Sequence, residues 1–301
     1  MPLNTRYILK FCIPSPRLFG FALASASLVI TLPSCELINP EEQIPAFVHI
    51  DEFSFSTVEG QGDSVQNLTD AWVYVDEEFI GTYELPATIP ILSSGPTNLR
   101  IEPGVRVSGL VGQRSVNPFM RKYSGLITLF PDSQVVLNPA VMYEDWVTFK
   151  WMEDFENVGF GISNTSNSEG SVQRISGSDA FAGNSMKMSI PTGSNFMECS
   201  SDLAYTLPAA AAPVFLEFTY RNNNSLYIGL KSITLSGVSQ TSILVLNPSA
   251  EWKHVYVNLT GTVSSSSLVG ALAHQVFFGF IRDEGVEGEA YAYLDNIKMM
   301  H

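Results

Sequence analysis

The sequence predicts an all-β protein, made of a small β-sandwich followed by a larger one. Apolar and polar residues alternate with a period of two in many short segments, which is typical of strands with one buried face. Gly, Pro or Asn stands at most breaks between these segments. No run of ten or more residues in the sequence shows the 3.6-residue period of an amphipathic helix. Frequent aromatic residues and a low charged fraction of 15% fit the same fold class.

The charge balance argues against a nucleic-acid binder. The 301 residues include 16 Lys and Arg against 30 Asp and Glu, which gives a net charge of −14. Removal of residues 1–34 takes away three basic residues and no acidic one, and leaves 267 residues with a net charge of −17. Nucleic acid and anionic lipid both attract basic surfaces, so neither is an expected electrostatic partner. A chain of this length has room for one large or two ordinary domains.

The first 34 residues predict a secretory signal peptide. Arg6, Lys10 and Arg17 are their only charged residues, and an almost wholly apolar or small stretch runs from Leu18 to Leu32. A basic segment followed by an apolar one of about 15 residues is a secretion signal. The apolar stretch is shorter than the roughly 20 residues that a membrane-spanning helix needs.

The stretch Leu32-Pro33-Ser34-Cys35 resembles the lipobox of bacterial lipoproteins. Pro33 departs from the small residue usual at that position. The resemblance implies cleavage before Cys35, lipidation of Cys35, and a tether over residues 35–45 that holds the protein on a membrane. Glu41-Glu42 resembles, faintly, the acidic run that some surface-displayed lipoproteins of the Bacteroidetes carry soon after the cysteine. That likeness implies an outer-membrane lipoprotein of a Bacteroidetes-type cell envelope, facing the periplasm or the cell surface. The alternative is an ordinary signal peptide cut nearby, which leaves Cys35 as a free thiol.

Residues 46–147 are predicted to form the small sandwich. The apolar residues of the alternating pattern stand at even-numbered positions up to Ile50 and at odd-numbered positions from Phe53. This change indicates a bulge or bend near Asp51 and Glu52. Further strand patterns follow, and the pair Asp76-Glu77 lies between two of them as a predicted hairpin turn.

Part of this unit resembles a PEGA-type surface module. The resemblance covers residues 71–107 and rests on a V-x-V-D strand ending at Asp76, a segment from Gly81 to Leu92, Gly95 at a turn, and an outgoing strand from Leu99. It implies an Ig-like or prealbumin-like sandwich that acts as a structural or spacing unit.

Residues 148–301 are predicted to form the larger sandwich, because about eight strand patterns over 150 residues suit two packed sheets. Four motifs occur there in the order EDFE, GNSMKM, EWKHVYVNL and YLDNIKM. Together they resemble a galactose-binding-like jelly roll, a fold that many carbohydrate-binding modules share.

The same resemblance implies a structural Ca²⁺ ion. In many such jelly rolls a carboxylate on the first strand and an Asp on the last strand hold the ion together. The matching residues here are Asp154 and Glu156 on the opening strand and Asp295 on the closing strand, with loop carbonyls of residues 182–184. Ca²⁺ takes six to eight oxygen ligands, and carboxylates and carbonyls supply them. The alternative is that these acids are solvated or hydrogen-bonded.

Candidate glycan-binding residues are aromatic side chains expected to face outward, together with a polar loop. Sugar rings pack their C–H faces on aromatic rings, and a few polar groups fix their orientation. The candidates are Tyr220, Tyr227, Tyr256 and the less favoured Trp252, with Arg221 and Asn223 as hydrogen-bonding groups. The alternative for each aromatic residue is packing in the core or at a sheet edge.

Catalytic patterns find little support in the sequence. It contains neither an H-E-x-x-H zinc motif nor a G-x-S-x-G nucleophile elbow. Cys199 lies among apolar and small residues, which predicts a buried, inert thiol. We therefore expect no enzyme.

Two functions stay open from the sequence. The first is non-enzymatic capture of a polysaccharide by the C-terminal jelly roll of a membrane-anchored lipoprotein. The second is a structural or adhesive surface protein that contacts other envelope proteins. The first rests on the fold resemblance alone.

The lipoprotein assignment has a direct test. We expect the variant Cys35→Ser to be released as soluble protein and to incorporate no fatty-acid probe, because several acyl chains at about 0.8 kcal/mol per buried CH₂ are needed for stable anchoring. Metabolic labelling with a clickable palmitate followed by fractionation measures both. A Cys35→Ser protein that still carries the label contradicts the assignment.

Overall fold

A computed structural model describes residues 42–110 and 112–301. Cys35, the predicted signal peptide and most of the predicted tether lie outside the described residues. Among the described residues, no helix is both long enough and apolar enough to cross a membrane. The residues from Pro45 to His301 form one compact unit.

The prediction of an all-β fold is confirmed. The strands of the small sandwich are β1 (Ala46–Ile50), β2 (Ser54–Phe55), β3 (Asp70–Val75), β4 (Glu78–Glu84), β5 (Ala87–Ile91), β6 (Gly95–Arg106), β7 (Arg114–Val116), β8 (Tyr123–Leu129), β9 (Gln134–Val136) and β10 (Ala140–Val141). The strands of the larger sandwich are β11 (Phe149–Glu153), β12 (Ile162–Asn164), β13 (Ser171–Ser176), β14 (Asn184–Ile190), β15 (Phe196–Ser201), β16 (Phe215–Asn222), β17 (Leu226–Thr234), β18 (Gly237–Leu246), β19 (Ser249–Asn258), β20 (Ala273–Ile281) and β21 (Ala290–Met300).

The small sandwich confirms two details predicted from its sequence. The strand β1 ends at Ile50 and β2 begins at Ser54, so the change in the alternating pattern marks the break between two strands. Asp76 and Glu77 join β3 to β4 with φ angles of 48° and 69°. Positive φ at both central residues is the geometry of a type I′ turn, whose twist matches that of the flanking strands.

The larger sandwich has two antiparallel sheets. The order of the first is β13-β14-β21-β16-β19, with β11 also paired to β21. The order of the second is β12-β15-β20-β17-β18. Alternate residues of both sheets meet in one apolar core, which includes Leu216 and Phe218 from the first sheet and Ile228 and Phe278 from the second. This arrangement is a β-sandwich in which each strand buries one face.

Within residues 42–110 and 112–301, two short helical elements were not predicted: a 3₁₀ turn at Gly177–Asp179 and a helix α1 at Thr260–Leu268. The α1 sequence TGTVSSSSL is poor in strong helix formers, because Ser and Thr compete for backbone hydrogen bonds. Tertiary contacts explain the helix instead. The Asn258 side chain accepts a hydrogen bond from the Thr260 N–H at 2.9 Å, and Val263 is buried in the core.

The small sandwich packs on the outer face of the first sheet of the larger sandwich, which we call the covered sheet. Phe215, Tyr256 and Met300 point away from the core of the larger sandwich and belong to the core of the small one. The backbone joins the two as well, because the Ser108 N–H donates to the Tyr256 carbonyl at 2.7 Å. The second sheet, which we call the open sheet, exposes Val238, Val245 and Ile281 on its outer face.

A buried group of charged and polar side chains lies between the small sandwich and the covered sheet. The side chains of Glu217 and Lys298 are 1% and 3% exposed, and their Oε1 and Nζ atoms are 3.4 Å apart. The Tyr143 hydroxyl donates to Glu217, and Lys298 donates to the Asp63 carbonyl at 2.6 Å. Burial raises the pKa of Glu217 and lowers that of Lys298, while each charge opposes the shift of the other.

These contacts mean that the small sandwich is fixed against the larger one. Residues 148–301 by themselves would expose Phe215, Tyr256 and Met300 and would strip Glu217 and Lys298 of Tyr143 and Asp63. We propose that residues 46–147 and 148–301 are the two structural parts of the chain, and we expect them to fold as one unit.

Removal of one partner of the buried ion pair should be costly. We expect Lys298→Met to lower the free energy of unfolding by about 3–5 kcal/mol, because it leaves the Glu217 carboxylate buried without its cation. The double variant Glu217→Gln/Lys298→Met should recover much of that loss. Urea unfolding of residues 36–301 measures both. As a control, Lys187→Met breaks the more exposed pair with Glu289 and should cost about 1 kcal/mol or less. Equal losses for Lys298→Met and Lys187→Met would contradict the role of the buried pair.

Candidate functional site

The outer face of the open sheet carries an aromatic and polar surface. On β15 the outward residues are Phe196 and Glu198, because Met197 and Cys199 point into the core. On β17 they are Tyr227 and Lys231, because Leu226, Ile228 and Leu230 point inward. Strand pairing then sets the neighbours: Gly279 of β20 lies directly between Glu198 and Tyr227.

Two glycines shape this surface. Gly279 has no side chain, so a gap opens between the side chains of Glu198 and Tyr227. Gly229 allows the ring of Phe277 to lie close against β17, because a Cβ atom at Gly229 would lie 2.5 Å from that ring and 2.1 Å from the Thr241 carbonyl oxygen. The face is therefore lined by rings without being filled by them.

A buried carboxylate forms the polar centre of the site. Glu198 is 8% exposed. One carboxylate oxygen accepts a hydrogen bond from Lys231 Nζ at 2.7 Å, and the other accepts one from Gln240 Nε2 at 2.7 Å. Lys231 Nζ also lies 5.9 Å from the centre of the Phe277 ring. The three polar side chains thus hold one another beside an aromatic ring.

A cavity of about 270 Å³ opens at this place. Its walls are the rings of Phe196 and Tyr227 with Phe277, and Glu198, Gln240 and Ser242 add polar groups. Such a shallow, ring-lined cavity with a few convergent polar groups is suited to a ligand that has both apolar faces and hydroxyl groups.

An irregularity in the edge strand β18 places Gln240 and Ser242 on this face. The pairing register between β17 and β18 shifts after Ile228, so that Gly229 pairs with Ser242 rather than with Ile243. The extra residue lets Leu244 continue into the core while Gln240 and Ser242 face outward. A bulge of this kind re-aims the side chains of an edge strand.

Of the predicted aromatic platforms, the structure places Tyr227 in the site and moves two others away. Tyr220 is 7% exposed and packs in the core of the larger sandwich, so the expectation that it faces outward is wrong. Tyr256 does face outward from its sheet, but it is 2% exposed because the small sandwich covers it, so the prediction that it is a glycan platform is wrong. Tyr220 is on the inner face of its sheet, whereas Tyr256 is on an outer face that another part of the chain covers. Neither ring is accessible for stacking.

The predicted polar residues Arg221 and Asn223 lie on the covered sheet and its loop, away from the cavity. Arg221 lies 4.6 Å from the centre of the Tyr293 ring and 5.5 Å from that of Trp252, and its Nη2 donates to Asp179. Asn223 donates to the Glu289 carbonyl at 2.9 Å and accepts from the Tyr291 N–H. Both residues therefore already have structural partners.

Two of the three predicted calcium ligands meet at the loop before β14. Gly183 has a φ of 55°, and a Cβ atom there would lie 2.2 Å from Glu156 Oε1, so only glycine leaves room for this carboxylate. Glu156 accepts hydrogen bonds from the N–H and the side-chain amide of Asn184, both at 2.7 Å. Asp295 accepts one from Ser185 at 2.6 Å.

The third predicted ligand, Asp154, does not share a strand face with Glu156. The strand β11 ends at Glu153, and Phe155 then turns into the core with a positive φ of 59°. Asp154 is exposed and accepts a hydrogen bond from the Glu156 N–H at 3.1 Å. It lines a separate cleft beside Lys298.

The charge state of Asp295 reflects its surroundings. Burial raises its pKa to about 6, hydrogen bonds from Ser185 and the backbone oppose that shift, and the nearby Glu156 carboxylate adds to it. Carboxylates are ligands that Ca²⁺ prefers, but the backbone groups that contact these two in the structure are N–H donors, those of Asn184 and Asn296. Among residues 42–110 and 112–301, no group of three or more His, Cys, Asp or Glu side chains is arranged to hold a metal ion.

Sequence reasoning missed most of the open-sheet site. Phe196, Glu198, Lys231, Gln240 and Phe277 were not singled out. The available signal was alternation within FMECSS and LYIGLKS, which places Phe196 with Glu198 and Tyr227 with Lys231 on the same faces. The prediction for Cys199 is confirmed: the thiol is fully buried, and burial raises its pKa to about 12.

Comparisons with known proteins give likenesses at the level of structure. No family model matches the chain, and no curated protein matches it. The PEGA-type, galactose-binding-like and lipoprotein resemblances therefore stay predictions.

Several solved structures are similar to parts of the chain. A family 11 carbohydrate-binding module from Clostridium thermocellum, in complex with a β-1,3-1,4-mixed-linked tetrasaccharide, is 16% identical over 49% of this chain and 92% of its own, with a TM-score of 0.35. A carbohydrate-binding module of the β-sandwich superfamily, studied for promiscuous specificity, is 14% identical over 87% of this chain and all of its own, with a TM-score of 0.36. The enzymatically active domain of tailspike protein 4 from bacteriophage CBA120 is 16% identical over 48% of this chain, which spans only 20% of that protein, with a TM-score of 0.36. TM-scores below 0.5 at such low identity do not carry the function of those proteins over to this chain.

Proposed function

We propose that the protein captures a polysaccharide, without cleaving it, on the outer face of the open sheet. The observation that carries this proposal is the cavity in which Phe196 and Tyr227 flank the hydrogen-bonded group of Glu198, Lys231 and Gln240. A sugar ring offers apolar C–H faces to the aromatic rings and hydroxyl groups to the polar residues.

The architecture supports an extended ligand. The part of the covered sheet around Phe215, Tyr256 and Met300 is packed against the small sandwich, whereas residues along the open sheet, such as Val245 and Ile281, are exposed. A polymer can run across the strands of an open sheet face, and the cavity then holds one of its sugar units. Rings set on paired strands are rigid, so little conformational entropy is lost when a sugar binds.

The polar centre favours binding over hydrolysis. Most glycosidases use two carboxyl groups about 5–9.5 Å apart, one of which carries or accepts a proton. In the described residues that line this cavity, Glu198 is the only acid, and both of its oxygens are occupied by Lys231 and Gln240. Glu198 is thus held as an acceptor that positions its two donors.

We further propose that capture takes place at a bacterial envelope, with Cys35 lipidated in the outer membrane. The support is the signal-like segment and the lipobox-like stretch before Cys35, both outside the described residues. The small sandwich fixed on the covered sheet would then hold the glycan face in a defined position rather than on a flexible spacer. Contacts with other envelope proteins belong to this proposal only as secondary interactions.

Removal of an aromatic wall should weaken capture. We expect residues 36–301 to be retarded by at least one polysaccharide in affinity gel electrophoresis, and Tyr227→Ala to weaken binding at least tenfold, which is about 1.4 kcal/mol. Glu198→Gln tests the polar centre and should also weaken binding, because it breaks the charged bond to Lys231.

Phe130→Ala is the matched control, because Phe130 is a 63% exposed ring on the small sandwich. It should bind as the parent does. Retention that is unaffected by Tyr227→Ala, or absent for every polysaccharide in a broad panel, would contradict capture on this face.

We also propose that Glu156 and Asp295 hold a structural Ca²⁺ with backbone oxygens of the loop before β14. The Ca²⁺ ion would offset the repulsion between these two neighbouring carboxylates. Without a cation, Asp295 has a folded-state pKa of about 6 against an ordinary value of 3.8. Its contribution to the free energy of unfolding is therefore fully present below about pH 4 and is lost as the pH rises through 6.

Bound Ca²⁺ should restore the part of the free energy of unfolding that is lost above pH 6. We expect 1 mM Ca²⁺, added at pH 7.5 after EDTA treatment, to raise the Tm of residues 36–301 and to leave the Tm of Asp295→Asn unchanged. Asp154→Asn serves as control and should respond as the parent does. A Tm that is the same with Ca²⁺ and with EDTA would contradict the calcium proposal and leave the glycan proposal untouched.

A further inference from the structure

A second cavity lies on the inner side of the two strands that border the first. The strands β17 and β18 present Lys231 and Gln240 to the outer face. Their neighbours Ser232, Ser239 and Thr241 therefore point to the other side, toward the space between the sheets. The helix α1 lies beside β17 at this end of the larger sandwich. A cavity of about 340 Å³ opens between α1 and the two strands.

Hydroxyl groups dominate the lining of this cavity. Ser232, Thr234, Ser239 and Thr241 line it from the strands, and Thr262, Ser265 and Ser266 line it from the helix. In the part of the chain that the structure describes, no charged side chain lines it. A hydroxyl group donates and accepts hydrogen bonds and rotates to suit its partner. The cavity thus offers a set of adaptable, uncharged hydrogen-bonding groups.

One of these hydroxyl groups is buried without a partner. Ser232 is 2% exposed, and among the described residues its Oγ atom has no hydrogen-bond partner. Ser266 is different, because its hydroxyl contacts His274 Nε2 at 2.8 Å and donates to the Val263 carbonyl at 3.0 Å. A buried hydroxyl left unpaired costs free energy, and such a group in a protein calls for an explanation. A ligand hydroxyl would supply the missing partner once the Ser232 side chain rotates toward the cavity that it lines.

We propose that this cavity binds a neutral, polyhydroxylated ligand of the size of one sugar, either free or at the end of a glycan. The hydroxyl lining matches a ligand that both donates and accepts at every position. An anion is disfavoured, because the cavity offers it no cationic side chain and the chain carries a net charge of −14. Val269 at the rim adds an apolar contact for the C–H face of a sugar.

This site is separate from the proposed capture face. The two cavities share strands β17 and β18 but lie on opposite sides of them, and no residue lines both. Binding in one can therefore be removed while binding in the other is kept.

Amide chemical shifts of residues 36–301 provide the test, with D-glucose, D-galactose and D-mannose as separate probes and inorganic phosphate as the anionic probe. We expect at least one neutral sugar to shift the amides of residues 232–241 and 260–268 in a saturable way. Thr241→Val should weaken that binding at least tenfold, because it replaces an exposed lining hydroxyl with a methyl group of similar size. Thr128→Val changes an exposed strand threonine on the small sandwich and should bind as the parent does.

The remaining outcomes are decisive. Shifts that persist in Tyr227→Ala support a separate site, and shifts that vanish in Tyr227→Ala place the sugar on the open sheet and overturn the proposal. The proposal is also overturned when no neutral sugar shifts these amides, when only phosphate does, or when Thr241→Val binds as well as the parent.

A disaccharide of the sugar that binds distinguishes a free sugar from the end of a glycan as the ligand. Equal or tighter binding of the disaccharide indicates a glycan end, and loss of binding indicates a free monosaccharide. Failure here leaves polysaccharide retention, and its dependence on Tyr227, unchanged.

Discussion

The buried pair of Glu217 and Lys298 is the constraint on which the arrangement of this protein depends. Both side chains lie on the outer face of the covered sheet, where an isolated β-sandwich would present them to water. Here Tyr143 and the Asp63 carbonyl, both from the small sandwich, take the place of that water. A buried charge without its partners is strongly destabilising, so the small sandwich cannot separate from the sheet without a large cost.

That constraint removes part of the covered sheet from contact with a ligand. Outward-facing aromatic residues occur on both sheets, but those near Glu217 and Lys298 are packed into the core of the small sandwich. The open sheet keeps Phe196 and Tyr227 accessible, with Glu198 held between Lys231 and Gln240. The packing of the small sandwich thus removes Phe215 and Tyr256 from contact with a ligand, and the cavity beside Phe196 and Tyr227 locates the candidate site.

The sequence predicts the strands well and the site poorly, for identifiable physical reasons. Alternation in FLEFTYRN shows that Phe218 and Tyr220 share a face, but it does not show whether that face is the core or the surface. Tyr256 does face outward from its sheet, and only the tertiary contact with the small sandwich buries it. The register shift in β18 changes which residues face outward, and a one-residue shift of this kind leaves no clear signal in the sequence.

Local signals were reliable where local chemistry sets the structure. The turn at Asp76 and Glu77 needs two positive φ angles, and its position between two strand patterns was sufficient to predict it. The helix α1 shows the opposite case, because its Ser-rich sequence has weak helix propensity and depends on the hydrogen bond from the Thr260 N–H to the Asn258 side chain and on burial of Val263. Glu198 was overlooked because a buried acid is recognisable only once Lys231 and Gln240 are seen beside it.

The central claim is that a glycan binds across the outer face of the open sheet while the covered sheet keeps the small sandwich in place. Hydrogen–deuterium exchange of residues 36–301, with and without a retained oligosaccharide, tests it most directly. We expect added protection in β15, β17, β18 and β20, and none in β16 and β19, whose residues Phe215 and Tyr256 are already buried at the interface. Added protection confined to the small sandwich, or exchange that opens the contact around Tyr143 and Glu217 when the glycan binds, would contradict it.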